Sequence, residues 1–324
     1  MLKGLIDTIE GIIIGGVIGI VVVFSLSTYF PYEYNYYFNK LVNNIDAKTI
    51  AINDKNEYAR DINFNYVQNT TNFYPTNQQD LLNILYTFLN SGQEEFTFYC
   101  SKEYTDCTKD MSDLIYDEEK NVLGYIYEFN HPYNDFKTIS AGTNKDTGKV
   151  TLKVTHKYTQ EEIETVNKKV DELYDILVDP NDTDYNNILR IHNYLVENIE
   201  YDKVKRAFIR KESDIDSEYK SNSAYGALIE HMAICSGYTD AFALFLEKMG
   251  IENYRIATQT HIWNAVKLDG TWYHIDLTWD DGRYTNGKTF TSYKYFLIGT
   301  ADLLGLNMEN HNFNQEMYSE LKVD

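Results

Sequence analysis

Cys235, His261 and Asp276 are the residues of this 324-residue chain whose types and order suit covalent chemistry. Cys235 opens Cys235-Ser236-Gly237-Tyr238, His261 opens His261-Ile262-Trp263-Asn264, and Asp276 sits between Trp272-Tyr273-His274-Ile275 and Leu277-Thr278-Trp279-Asp280. A thiol, an imidazole and a carboxylate are the parts of a nucleophilic acyl-transfer site. The imidazole deprotonates the thiol, and the carboxylate orients the imidazole. A plainer reading makes the thiol a buried, inert side chain and the other two ordinary strand residues. Their placement must decide between these readings.

The elements around them favour chemistry. The thiolate is the reactive form of cysteine, and the N-terminus of a helix stabilises an anion. Ala241, Leu244, Phe245 and Met249 recur at helical spacing after Cys235, and Gly250 follows as a terminating glycine. This predicts a helix that begins at the cysteine, with Gly237 leaving room beside it. His261 to Leu268 and Thr271 to Trp279 read as the strands of a hairpin closed by Asp269-Gly270. That turn pairs Leu268 with Thr271. Counting outward pairs Trp263 with Asp276 and His261 with Thr278. All four then share one face, and His261 and Asp276 become diagonal neighbours. A one-residue slip would part them.

At these residues the chain resembles the transglutaminase-like superfamily, a branch of the papain-like Cys-His-Asp enzymes. Its C-x-G-Y-x-x-A-F segment is matched from Cys235 to Phe242, its H-x-W-N segment at His261, Trp263 and Asn264, and its W-Y-x-x-D-x-T-W-D-D segment from Trp272 to Asp281. Ile191-His192-Asn193-Tyr194-Leu195 and Ser223-Ala224-Tyr225-Gly226-Ala227-Leu228 resemble the two helices that precede the cysteine, with Asn193 where the family usually has Asp. Tyr295-Phe296-Leu297 resembles the closing strand, so the likeness runs from about Thr159 to His311. It implies Cys235 as nucleophile, His261 as base and Asp276 as orienting acid, acting on a protein or peptide substrate. No metal or organic cofactor is implied. The reaction stays open, because relatives include amide cross-linkers, glycan-releasing amidases and proteases. A non-catalytic surface or envelope-assembly protein that keeps the fold for binding is the alternative.

The expected fold class is α+β. A papain/transglutaminase-like domain, residues 156–324, packs helices on an antiparallel sheet. A small α/β region, residues 31–155, and an N-terminal membrane anchor, residues 1–30, precede it. Gly11 to Phe24 carries no charged or polar side chain, and the uncharged stretch extends to Phe30. Tyr29, Phe30, Tyr32 and Tyr34 follow like an interfacial belt. A cleaved signal peptide fits less well, because Asp7 and Glu10 spoil the basic leader and Ser25-Leu26-Ser27 is a poor cleavage site. The catalytic part is then extracytoplasmic. Gly11, Gly15 and Gly19 recur every four residues, as on a homodimer face or as ordinary membrane glycines.

Net charge −20 excludes a general nucleic-acid binder, which needs clustered Lys and Arg. Cys100 and Cys107 would pair in an oxidising compartment, leaving Cys235 as the free thiol; in a reducing cell both stay unpaired. Upstream, Asn77 to Ser91 reads as a helix, and Phe96–Cys100, Val122–Phe129 and Lys149–Tyr158 read as strands. Thr159 to Asp179 reads as a long helix with a Thr159/Glu162 capping box. The acidic loop Asp179 to Asp184 lacks the glycine and glutamate of a calcium loop. His192 and His231 read as structural. His274 shares the Asp276 face and is a candidate neighbour of the site.

Overall fold

Leucines at helical spacing and alternating apolar strands build the upstream half. The computed structural model describes residues 19–29, 56–117, 122–283 and 289–322. Helix α1 (Gln78–Asn90) is capped by the Asn77 side chain, which accepts from Asp80 N, and buries Leu81, Leu82, Leu85 and Leu89. Strands β1 (Glu95–Tyr99), β2 (Phe136–Asn144) and β3 (Lys149–His156) form an antiparallel sheet in the order β1-β3-β2. Val150, Leu152 and Val154 alternate into the interior along β3, and Phe98 and Phe96 lie opposite the first two. Cys100 is bridged to Cys107, the first residue of α2 (Cys107–Tyr116), with 5.8 Å between their Cα atoms.

The strand expected over Val122–Phe129 does not form. Leu123–Ile126 and Tyr127–Phe129 are helical turns. Ile126 and Phe129 are both buried at i, i+3 spacing, and so short an apolar run does not declare its period in the sequence.

Downstream, α3 (Gln160–Leu177) begins with the expected reciprocal capping box and buries Ile163, Val166, Val170 and Leu173. Next comes α4 (Asp184–Asn198), capped by Thr183. Helix α5 (Cys235–Lys248) is almost wholly buried. It ends in a Schellman turn: Gly250 N bonds Glu247 O, Ile251 N bonds Leu246 O, and Gly250 takes φ +71°. Strands β4 (Asn253–Ala257), β5 (Ile262–Leu268) and β6 (Thr271–Ile275) form the second antiparallel sheet. Asp269 and Gly270 both take positive φ, which is what a two-residue I′ hairpin turn demands.

One cluster of buried side chains draws on both sides of residue 155. It joins Phe64, Leu85, Phe88 and Phe129 to Tyr254, Ile256, Trp263 and Tyr318. Helix α5 lies against the second sheet through another cluster that includes Phe242, Phe245, Val266 and Ile275. The β4–β6 sheet is thus held between upstream residues and α5.

Residues 19–29 are helical, with Ile20, Val21 and Phe24 exposed. The rest of the expected anchor, including Gly11 and Gly15, lies outside the described residues. Among the described residues, no helix is long and apolar enough to cross a membrane.

Candidate active site

Cys235 is the first residue of α5, after an extended Ile234, and no side chain caps this helix end. Gly237 fits here for a reason other than room at the thiol. A Cβ on it would meet Ser221 O at 2.4 Å and Ala233 Cβ at 2.9 Å, so the glycine lets the Ser221 backbone seat against the helix start. Ile234 N bonds Ser221 O at 2.8 Å and completes that junction.

The H-x-W-N segment brings the histidine to the thiol. Asn264 Nδ2 donates to Thr239 O at 3.0 Å, and Thr239 Oγ1 lies 2.8 Å from Cys235 O and 3.2 Å from Ile262 O. These bonds fasten the first turn of α5 to the start of β5, where His261 sits. Trp263 is buried and stacks on the His261 ring at 5.6 Å. Its indole N–H donates to His274 Nδ1 at 3.0 Å, and His274 Nε2 lies 3.0 Å from Thr300 Oγ1. His274 therefore supports Trp263 and makes no side-chain hydrogen bond to Cys235 or Asp276. Burial, then the neighbouring His311, pushes His274 down to about 3, which leaves Nδ1 free to accept.

The hairpin register is the expected one from Leu268–Thr271 out to Asn264–Ile275. The second strand, however, stops at Ile275. Asp276 caps the helical turn Leu277–Asp280 by accepting from Trp279 N at 3.1 Å, so Thr278 does not pair with His261. Asp is a favoured N-cap, and that preference ends the strand. The diagonal contact forms all the same: His261 Nε2 lies 2.5 Å from Asp276 Oδ2.

Asp276 has a second imidazole partner that sequence reasoning missed. His311 Nε2 lies 2.9 Å from the same Oδ2, and His311 Nδ1 lies 3.0 Å from Asn307 O. His311 is fully buried at the end of a weakly amphipathic helix, α6 (Thr300–His311), and no local motif singles it out.

Burial alone would lower the His261 pKa. The Asp276 charge and hydrogen bond override it, the nearby Cys235 side chain adds to them, and the imidazole is pushed up to about 10. Burial would raise Asp276, yet His261 and then His311 hold its carboxyl well below the carboxylate range. With Nε2 committed to Asp276, Nδ1 of His261 is the nitrogen left for the thiol. A thiol that shares a cleft with an imidazole oriented by a buried carboxylate can transfer its proton to that ring and attack a carbonyl.

The remaining motif residues brace the site. Tyr238 hydroxyl lies 2.9 Å from Asp281 Oδ2 and 3.0 Å from Ile199 O. Asp280 Oδ2 meets His192 Nε2 at 3.1 Å, and its Oδ1 accepts Tyr295 N. His192 is fully buried, and His231 lies near Asn198 O. Arg255, 1 % exposed, ties the site to the upstream half. It donates to Asp240 of α5 at 2.6 Å and to both carboxylate oxygens of Asp135, while Glu128 lies 3.1 Å from its Nε.

His261, Asp276 and His311 bring three potential metal ligands within 4.8 Å of one another. Those atoms are already bonded to each other, so an ion would have to break the bonds that orient His261. Cys235 and His261 open on a cleft of about 630 Å³ edged by Tyr201, Trp279 and Asn310.

Fold and site together define a protein of mixed helix and sheet in which a thiol and a carboxylate-bound imidazole line one cleft. Residues 171–277, which include all three, match the family model described as Transglutaminase-like superfamily, and the chain carries a domain of that superfamily. A crystal structure described as that of a TGase is similar over 47% of this chain and 46% of its own, at 13% identity and TM-score 0.32. The likeness thus spans about half of that protein. No curated protein matches the sequence.

Proposed function

We propose that the protein is a thiol-dependent acyl-transfer enzyme acting on peptide or side-chain amides, as a protease, amidase or transglutaminase-like enzyme. The carrying observation is the His261–Asp276 contact at 2.5 Å with Cys235, at the start of α5, lining the same cleft as the imidazole. Cys235 Sγ attacks the amide carbonyl after giving its proton to His261. The C–N bond breaks, His261 returns the proton to the leaving amine, and a thioester remains. Water or a second amine then attacks the thioester and regenerates the thiol. Asp276 holds the ring with Nε2 protonated, and the uncapped N–H groups at the start of α5 suit the oxyanion.

The reading extends to an extracytoplasmic domain tethered through residues 11–30. The Cys100–Cys107 bridge supports it, since such bridges persist in oxidising compartments. The test is to incubate the full chain with casein and dansylcadaverine. Dye incorporation reports aminolysis, new N-termini report peptide hydrolysis, and Cys235→Ala removes whichever occurs. The same products from Cys235→Ala would contradict the proposal and leave a binding role.

A further inference from the structure

We propose that the cleft beside Cys235 selects acyl donors with a carboxylate next to the attacked amide, as in an acidic peptide segment. The inference rests on the thiol reading above and concerns which substrates that thiol meets.

One wall of the cleft carries Lys203, Arg206 and Arg210. They are spaced i, i+3, i+7, so one face of the short helix Lys203–Ile209 and its cap points them the same way. None has an ion-pair partner among the described residues, whereas Lys205 on the same turn is paired with Asp216 at 2.9 Å. Acidic groups outnumber basic ones 49 to 29 in this chain, so three unpaired cations on one wall run against the general balance. Among the described residues, Asp281 is the acid lining the cleft, and it lies against the Tyr238 hydroxyl. Asp276 is buried behind two imidazoles.

The fold holds these cations in place without using them. The Lys203–Ile209 helix buries no residue. It is positioned from its N-terminal end, where Glu200–Tyr201 pairs in parallel with Met232–Ala233, two residues before Cys235. Asp202 caps it by accepting Lys205 N at 2.9 Å, and Asp202 also takes the Ser217 and Ser221 hydroxyls. Tyr201 lines the same cleft. Burial, then the Cys235 charge, pushes its hydroxyl up to about 12, and Arg206 and Arg210 pull the other way. A cleft walled by one sign of charge concentrates ligands of the opposite sign, by roughly 10- to 1000-fold in rate at low salt.

Alkylation of Cys235 tests the cleft without a known substrate. Iodoacetate and iodoacetamide react alike: the thiolate attacks the CH₂, a C–S bond forms and iodide leaves. They differ in charge. With Cys100 and Cys107 bridged, Cys235 is the free thiol. The measurement is the ratio of the iodoacetate rate to the iodoacetamide rate, on the full chain and on the triple variant Lys203→Gln, Arg206→Gln, Arg210→Gln. The variant loses no buried or paired group. The expected ratio falls about tenfold in the variant at low ionic strength. The difference closes near 1 M salt, where screening acts over about 3 Å. An unchanged ratio overturns the proposal. So does an unchanged ratio together with binding to phosphatidylglycerol vesicles that the variant loses, because the cations would then serve a lipid surface. If both reagents react no faster than with an ordinary exposed thiol, the acyl-transfer reading fails, while the ratio still reports on the wall.

Discussion

His311 Nε2 lies 2.9 Å from Asp276 Oδ2, the oxygen that His261 Nε2 meets at 2.5 Å. One buried carboxylate oxygen therefore serves two imidazoles. The other nitrogen of His311 faces Asn307 O, so both of its ring nitrogens point at acceptors. His311 does not itself line the cleft, and its ring meets the His261 ring edge-on at 5.3 Å. It acts through Asp276, as a positioning residue. We expect His311→Ala to lower kcat about tenfold with little change in KM, the pattern of a loss felt mainly in the transition state. His311→Gln, which retains an N–H donor, recovers part of the loss. A merely structural role would move thermal stability and leave the kcat/KM pH profile unchanged.

Asp276→Asn should cost about a hundredfold in kcat with KM nearly unchanged, because an amide favours the wrong tautomer of His261. It also has a signature in stability. His261 binds its proton more tightly when folded, its pKa rising from 6.5 to about 10. Between those values the native state holds more protons than the unfolded chain, so this contribution is full below pH 6.5 and is lost as pH rises toward 10. The Asp276 pKa is held below its ordinary 3.8, so its contribution is present above that value and is lost as pH falls. The advantage of wild type over Asp276→Asn should therefore be greatest between about pH 4 and 6.5 and shrink toward pH 10. Thermal midpoints measured across this range check it. Parallel curves would show that the pair does not couple as described.

Arg255 is buried among Asp135, Glu128 and Asp240. Burial would lower its pKa, but these carboxylates hold the guanidinium charged. Arg255→Ala leaves Glu128 without its cation and leaves Asp135 and Asp240 to share Lys157 alone, and breaking a buried pair from one side costs about 3–5 kcal/mol. Urea unfolding should register a loss of that order. A change under 1 kcal/mol would show that the network relaxes without its cation.

How far these relationships could be read in advance depended on distance along the chain. The hairpin register followed from Asp269-Gly270, a two-residue turn whose geometry fixes every pair beyond it. The α5 start at Cys235 followed from apolar spacing and Gly250. The end of β6 did not, because the strand-like Trp272–Ile275 run hides the N-cap at Asp276. His311 was invisible for a different reason. Its partner lies 35 residues away, and nothing local marks a polar residue that the fold buries. Arg255 and Asp135, 120 residues apart, are the same case. Contacts set by local pattern were legible, and contacts made by packing distant segments were not.

Acyl transfer from p-nitrophenyl acetate tests the central claim most directly. The ester needs only a nucleophile, an oriented base and an open cleft. The full chain should release a burst of p-nitrophenol equal to the protein present and carry one acetyl group, mapped to Cys235 by mass spectrometry. The adduct should be absent in Cys235→Ala, and it should form at least a hundredfold more slowly in His261→Ala, a loss typical of a missing general base, about 10²–10⁴-fold. A burst that survives Cys235→Ala, or acetylation of Cys235 at the same rate without His261, would contradict the account.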